Sequence, residues 1–204
     1  MLGLINLAII EDNLDKIRQY LDLKENSIIR LDQLLKEIIQ FSRNTHLEIK
    51  GDQIDLKSLI NEAIDIHEYF IGSQNIKKYY EVTQSCDFVC DKFRLEIVLN
   101  NLISNAIRYS NLNQEEPMLK IAAEVNREEA VIKVIDNGIG IKPEMQTNIF
   151  NMFYKGSDET VGGSGLGLFI VMETMEKLDG EILLESVPGE GSTFTIKIPN
   201  QADL

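Results

Sequence analysis

The segment Asp136-Asn137-Gly138-Ile139-Gly140 follows Ala130-Val131-Ile132-Lys133-Val134-Ile135, a β-branched run that reads as a buried strand. A strand ending this way ends in a sharp turn with little side-chain bulk. Such a turn lets a flat ligand approach the backbone. A carboxylate fixed at its mouth accepts a hydrogen bond from an exocyclic amine. Asn101 and Asn105, four residues apart, share a helix face with Arg94 and Arg108. Amide oxygen is a hard ligand suited to Mg2+, which takes few protein ligands and keeps several waters. Gly163-Ser164-Gly165-Leu166-Gly167 opens another helix, where exposed N–H groups and absent side chains suit phosphate anions. Each pattern has a bland counterpart when taken singly: a surface turn, a solvated helix face and a hinge.

Their order along the chain narrows the choice. Asn100-Asn101-Leu102-Ile103-Ser104-Asn105-Ala106-Ile107-Arg108-Tyr109-Ser110 comes first, then the Asp136 turn. Ile149-Phe150-Asn151-Met152-Phe153-Tyr154-Lys155 and Gly162-Gly163-Ser164-Gly165-Leu166-Gly167-Leu168 follow. In that order they resemble the N, G1, F and G2 boxes of the ATP-binding domain of sensor histidine kinases. The resemblance covers residues 52–200, with a weaker likeness of residues 2–45 to that family's dimerisation helices.

The resemblance implies a Bergerat-type α/β fold, a two-layer sandwich of a mixed sheet under about three helices, preceded by a partial helical hairpin. It implies ATP and Mg2+ as cofactors and donation of the γ-phosphoryl group to a histidine, then to a response-regulator aspartate in two-component signal transduction. Asp136 is expected on adenine, with Gly138, Ile139 and Gly140 forming its turn. Asn105 matches the main Mg2+ ligand, and Asn101 supports the metal and phosphate shell. Arg108 matches a phosphate-contacting basic position, and Tyr109 an aromatic beside the nucleotide. Lys155 resembles the residue that meets the γ-phosphate. Asn101, Arg108 and Lys155 are therefore the residues assigned to catalysis. Gly163, Ser164, Gly165, Leu166, Gly167 and Leu168 are expected around the phosphates, with the polar stretch from Ser157 to Gly163 as a lid. Phe150 and Phe153 read as core anchors of that lid. Gly189-Glu190-Gly191-Ser192-Thr193-Phe194 resembles the family's last glycine box and reads as structural, with Thr193 assigned to the nucleotide.

The elements that must position these residues are legible in outline. Residues 2–10 read as the tail of a helix and Glu11-Asp12-Asn13 as a helix–helix turn. Leu14, Ile17, Leu21, Ile28, Leu31, Leu35 and Ile38 then recur at spacings of three and four, interrupted once at Lys24, a coiled-coil seam that Leu34, Ile39 and Phe41 widen toward a four-helix bundle of two chains. The alternative is a helix packed on its own globular domain. Residues 1–45 are thus expected as partial dimerisation helices, 46–52 as a linker overlapping the polar stretch Asn44 to Gly51, 53–200 as the catalytic domain and 201–204 as a tail. Ile54-Asp55-Leu56 reads as a strand and Leu59 to Phe70 as a helix. Lys77 to Thr83 and Phe88 to Cys90 are strand candidates. Asp91 is placed to cap a helix from Phe93 to Tyr109. Met118 to Val125 and Ala130 to Ile135 form a hairpin, Pro143 starts a short helix ending near Phe153, and Leu166 to Leu178 is helical up to Asp179-Gly180. Ile182 to Ser186 and Phe194 to Ile198 complete the sheet.

Composition limits the partners. The 204 residues carry a formal net charge of −13 and are 44% hydrophobic, enough for a proper core and ill suited to nucleic acid or an anionic membrane. Cys86 and Cys90, the only cysteines, lack the companions a zinc site needs and read as small strand residues in a reducing cytosol. No apolar run approaches the ~20 residues of a membrane span, so a cytoplasmic location is expected, the parent protein being free to carry an anchor. The expected partners are a response-regulator receiver domain and a second copy, the latter weakened by truncation.

The family's phosphoacceptor box, a histidine followed by an acidic residue, an Arg and a Pro, is absent. His46 and His67 are the only histidines, and neither has that setting, so no phosphoacceptor is assigned. The chain is expected to bind ATP and Mg2+ without labelling itself. Two other classes share the fold. One is a degenerate nucleotide-binding dimerisation module. The other comprises ATPases and serine kinases of the same fold, in which a Glu stands four residues before the Mg2+-binding Asn to act as base. Here that position is Asn101, whose amide takes no proton.

Overall fold

The computed structural model describes residues 3, 7, 9, 11, 13–68, 73–156 and 163–202. Gly3, Leu7 and Ile9 are helical; the rest of the expected helix tail from residue 2 to 10 lies outside the described residues. Helix α1 spans Leu14–His46 and begins on Asn13, whose side chain accepts from the Asp15 and Lys16 N–H groups. It runs beyond the predicted start of the polar connection at Asn44, so the extended connection begins at Leu47.

Strand β1 (Asp52–Gln53) pairs antiparallel with β3 (Val89–Cys90). A strand was expected at residues 54–56; instead Asp55 caps helix α2 (Leu56–Ile66). Its carboxylate accepts from the Ser58 N–H at 3.2 Å and the Ser58 hydroxyl at 2.7 Å, and this local cap outweighs the extended reading. The helix stops at Ile66, short of the predicted Phe70, which lies outside the described residues.

The main sheet has five strands, β2 (Lys77–Gln84), β4 (Met118–Val125), β5 (Glu129–Asp136), β6 (Glu181–Val187) and β7 (Gly191–Pro199), ordered β2-β4-β5-β7-β6. β2 and β4 run parallel and the other pairs antiparallel. Alternation settles the two faces. In β5, Ala130, Ile132, Val134 and Asp136 point inward, as do Ser192, Phe194, Ile196 and Ile198 of β7. They meet helices α3 (Lys92–Arg108) and α5 (Gly167–Lys177) through Leu95, Leu99, Leu102, Val171 and Met175. The opposite face of the sheet is largely half-exposed. This is the two-layer α/β sandwich expected. α4 is a single turn, Pro143–Gln146, and the chain reaches Phe153 through turns rather than helix.

Helix α1 lies on this sandwich with one of its faces. Leu34 and Phe41 pack on Ile97, Leu166 and Ile170, and the Phe41 and Phe169 rings lie 5.6 Å apart. Leu34 and Phe41 therefore cover the domain instead of widening a bundle seam. Leu14, Leu21, Ile28, Leu31, Leu35 and Ile38 of the seam remain exposed.

Arg94 departs from expectation. It lies on the same side of α3 as Asn101, Asn105 and Arg108, yet it is 1% exposed because the end of α1 covers it. Its guanidinium donates to Asp91 Oδ2 at 2.6 Å, to Asn44 Oδ1 and O, and to the carbonyls of Leu47 and Glu48. All five donors of its fork are engaged. Among the described residues, no helix is long and apolar enough to cross a membrane.

Candidate functional site

β5 and α3 set the site. Asp136 is the last residue of β5 and is 9% exposed. Its Oδ1 accepts from the Gly138 N–H at 2.8 Å, which folds the turn back on the carboxylate. Gly138 is required by close approach, since a Cβ there would collide with the carbonyl oxygen of Tyr109. Ile139 N–H in turn donates to that carbonyl at 3.0 Å, pinning the turn to the C-terminus of α3. Gly191 holds the other side: its φ is +118°, and a side chain would strike the Asp136 carbonyl. Burial pushes the Asp136 carboxyl up to about 6, against the N–H groups of Gly138 and Ser192 that favour its charged form.

Asp136 opens into a cleft of about 440 Å³ walled by Ala106, Ile139, Ile141, Met145, Ile149 and Phe194. Asn105, Tyr109, Tyr154, Lys155 and Leu168 line it too, and they also line an adjoining cavity of about 70 Å³. That second space is bounded by Asn101, Arg108, Gly163, Ser164, Gly165 and Gly167. The two are halves of one groove. The first is mainly apolar with one buried carboxylate, and the second is polar and carries Arg108, with Lys155 shared between the two.

The second half is shaped by small residues. Asn101 Nδ2 donates to the Ile97 carbonyl at 2.8 Å, leaving Oδ1 toward Gly167, where a Cβ would sit 2.9 Å from it. Gly163 lies the same distance from Arg108 Nη1 by that measure. Ser164 Oγ accepts the Leu166 N–H at 3.0 Å. Leu166 itself is buried under α5, so it supports the loop from below. The Asn105 amide has no protein partner among the described residues and faces the groove.

The structure thus gathers nearly all the predicted residues into one groove. Gly138 and Leu166 stand behind the wall as supports, and Thr193 is turned to the other face by the alternation in β7, so that Ser192 and Phe194 line the wall instead. Phe150 packs against the core as expected, but Phe153 is 58% exposed with φ +62°, so it anchors nothing. The Gly165 carbonyl accepts the Phe153 N–H at 3.0 Å, and that backbone bond ties the segment to the start of α5. Of the expected lid from Ser157 to Gly163, residues 157–162 lie outside the described residues. Neither histidine reaches the groove walls. His67 is buried, with Nε2 3.2 Å from Asn100 Oδ1, and burial lowers its pKa. His46 ends α1, nine residues past Glu37 and so about 13 Å along the axis.

The sequence reading missed Gln33 and Glu37 of α1, which line the polar half. Their signal was present: Leu34, Glu37, Phe41 and Asn44 repeat at helical spacing on a face distinct from the seam.

Residues 90–202 match the family described as histidine kinase-, DNA gyrase B- and HSP90-like ATPase, whose fold binds ATP. The chain is 32% identical over 193 residues to the sensor-like histidine kinase SenX3 of Mycobacterium tuberculosis, covering 92% of this chain and 46% of SenX3. It therefore spans about half the length of that relative. Among solved structures, the Acinetobacter baumannii histidine kinase AdeS superposes with a TM-score of 0.70 at 27% identity, over 98% of this chain and 91% of that one. Histidine kinase ThkA, solved in complex with response regulator protein TrrA, gives 0.74 at 26% identity, over 98% and 56%.

Proposed function

This chain belongs to the histidine kinase-, DNA gyrase B- and HSP90-like ATPase family, and from that premise we infer that it is the ATP-binding catalytic part of a sensor histidine kinase. The observation that carries the reading is the single groove joining the Asp136 carboxylate to Asn101, Asn105, Arg108 and Lys155. Asp136 accepts the exocyclic amine of adenine, and the bare Gly138 turn admits the ring. Met145, Ile149 and Ile139 exclude water from it. Arg108, Lys155 and the N–H groups of residues 163–168 bind phosphate oxygens. Asn105 supplies the oxygen for Mg2+, an assignment its unpartnered amide in an oxygen-donor groove fits. When bound, that ion neutralises charge on the β- and γ-phosphates.

Asn101 cannot accept a proton, and its amide is committed to Ile97. The groove therefore holds and orients the triphosphate for a nucleophile that is already basic, an imidazole, rather than activating water. That histidine comes from outside the residues seen here, since His67 is buried and His46 is remote. The exposed seam of α1 supports pairing with a second copy, and the ThkA–TrrA complex supports a response regulator as the onward acceptor. We place residues 53–200 as the catalytic unit and the domain in the cytoplasm.

Titration with ATP tests the reading. The unaltered chain binds ATP in Mg2+, and Asn105→Ala lowers that affinity by about 10- to 100-fold while changing affinity in EDTA little. An equal loss in both conditions removes Asn105 from the metal. With γ-labelled ATP, the chain alone gains no acid-labile phosphate; labelling of His46 or His67 would overturn the external acceptor.

A further inference from the structure

We propose that Glu37 of α1 is a second protein contact for the divalent cation of the bound nucleotide. The inference rests on the nucleotide reading above. Glu37 is 7% exposed, and its side chain lines the polar half of the groove opposite Asn101, Asn105 and Arg108. One carboxylate oxygen, Oε1, accepts from Gln33 Nε2 at 3.1 Å. The other, Oε2, is buried without a hydrogen-bond partner among the described residues. A buried carboxylate oxygen left unmatched is costly, so the position calls for a cation or a donor that arrives from the groove.

The two candidates in that space act oppositely. Triphosphate alone brings negative charge to Glu37 and is repelled. Triphosphate carrying Mg2+ brings a hard cation with waters still attached, which suits a carboxylate as a direct ligand or as an acceptor from those waters. Glu37 therefore selects metal-loaded over metal-free nucleotide. Because it is delivered by α1, this preference depends on α1 lying against Phe169 and Leu166. The N-terminal helix then senses whether the nucleotide carries its metal, a coupling that runs both ways by linkage.

The test measures ATP affinity by calorimetry in Mg2+ and in EDTA, for the unaltered full chain and for Glu37→Gln, which keeps the size of the side chain and its acceptor for Gln33. The expected result is a roughly tenfold fall in the ratio of the two affinities, from weaker binding in Mg2+ and equal or tighter binding in EDTA. Tighter binding in both conditions would show that Glu37 competes with phosphate and overturns the proposal. An unchanged ratio, with both affinities unchanged or equally weakened, overturns it as well. If the unaltered chain binds no ATP in either condition, the nucleotide reading itself falls, an outcome distinct from a failed ratio. Thermal unfolding of both proteins verifies that the helix remains folded.

Discussion

Asp136→Asn abolishes detectable nucleotide binding and raises the stability of the nucleotide-free domain above pH 6. The first half follows from polarity. The carboxylate only accepts, whereas an asparagine amide that turns its NH2 toward the exocyclic amine sets donor against donor. A buried mismatch of this kind weakens binding by a factor of about 100 or more. The second half follows from burial. Asp136 is 9% exposed and its carboxyl is pushed up to about 6, so the empty site holds a charge it poorly solvates. Between about pH 4 and pH 6 the folded domain keeps a proton on Asp136 that the unfolded chain has lost. Stability falls through that window as pH rises, and the deficit is complete above it, on the order of 3 kcal/mol at most. Removing the charge recovers part of it. Thermal melts at pH 7.5 and pH 4 measure the effect; a variant less stable at both pH values would refute it.

Nucleotide affinity follows the opposite course. Binding needs the ionised carboxylate, so affinity holds above pH 6 and declines below it, as the charged fraction drops. Stability of the empty domain is greater where binding is weaker. A site that trades folding free energy for recognition behaves this way.

Much of this was legible in the sequence because the site is built from local signals at strand and helix ends. The β-branched run before Asp136, the cap at Asp91 and the glycines before α5 each announce a boundary within a few residues. Errors arose where residue type alone left two backbone conformations or two faces open. Ile54-Asp55-Leu56 fits a strand until Asp55 finds Ser58. Thr193 and Ser192 are both polar residues of one glycine-rich box, and only the β5–β7 register, with Asp136 opposite Ser192, says which one faces the cleft. Phe153 looked like an anchor by type, yet its positive φ turns it outward. Glu37 was overlooked as a site residue because the apolar seam dominates its helix, and the second face, although present at helical spacing, becomes meaningful only once α1 lies on α5.

Arg94→Ala has the largest expected effect on stability. By helical spacing Arg94 reads as a fourth member of the polar face of α3. The structure buries it beside Asp91, with 1% and 4% of the two side chains exposed, and spends its whole donor set on Asn44, Leu47, Glu48 and Asp91. Truncation strands the Asp91 carboxylate, although that group keeps the N–H groups of Arg94 and Lys50. It also leaves three backbone carbonyls, Asn44 at the end of α1 and Leu47 and Glu48 just after it, without their guanidinium donor. The loss is about 3–5 kcal/mol by chemical denaturation. Arg94→Lys recovers little, because a single ammonium cannot span the same acceptors. The damage is directional too: the lost bonds join α1 and its connection to the first turn of α3, so protease cleavage within residues 44–51 accelerates while the sheet holds. Replacing Arg94 and Asp91 together by apolar residues is less harmful than Arg94→Ala alone, since no carboxylate is then left unpaired. A double variant as unstable as the sum of its parts would place the role of Arg94 in its bonds to the α1 terminus rather than in the ion pair. A single variant within about 1 kcal/mol of the unaltered chain would remove it from both.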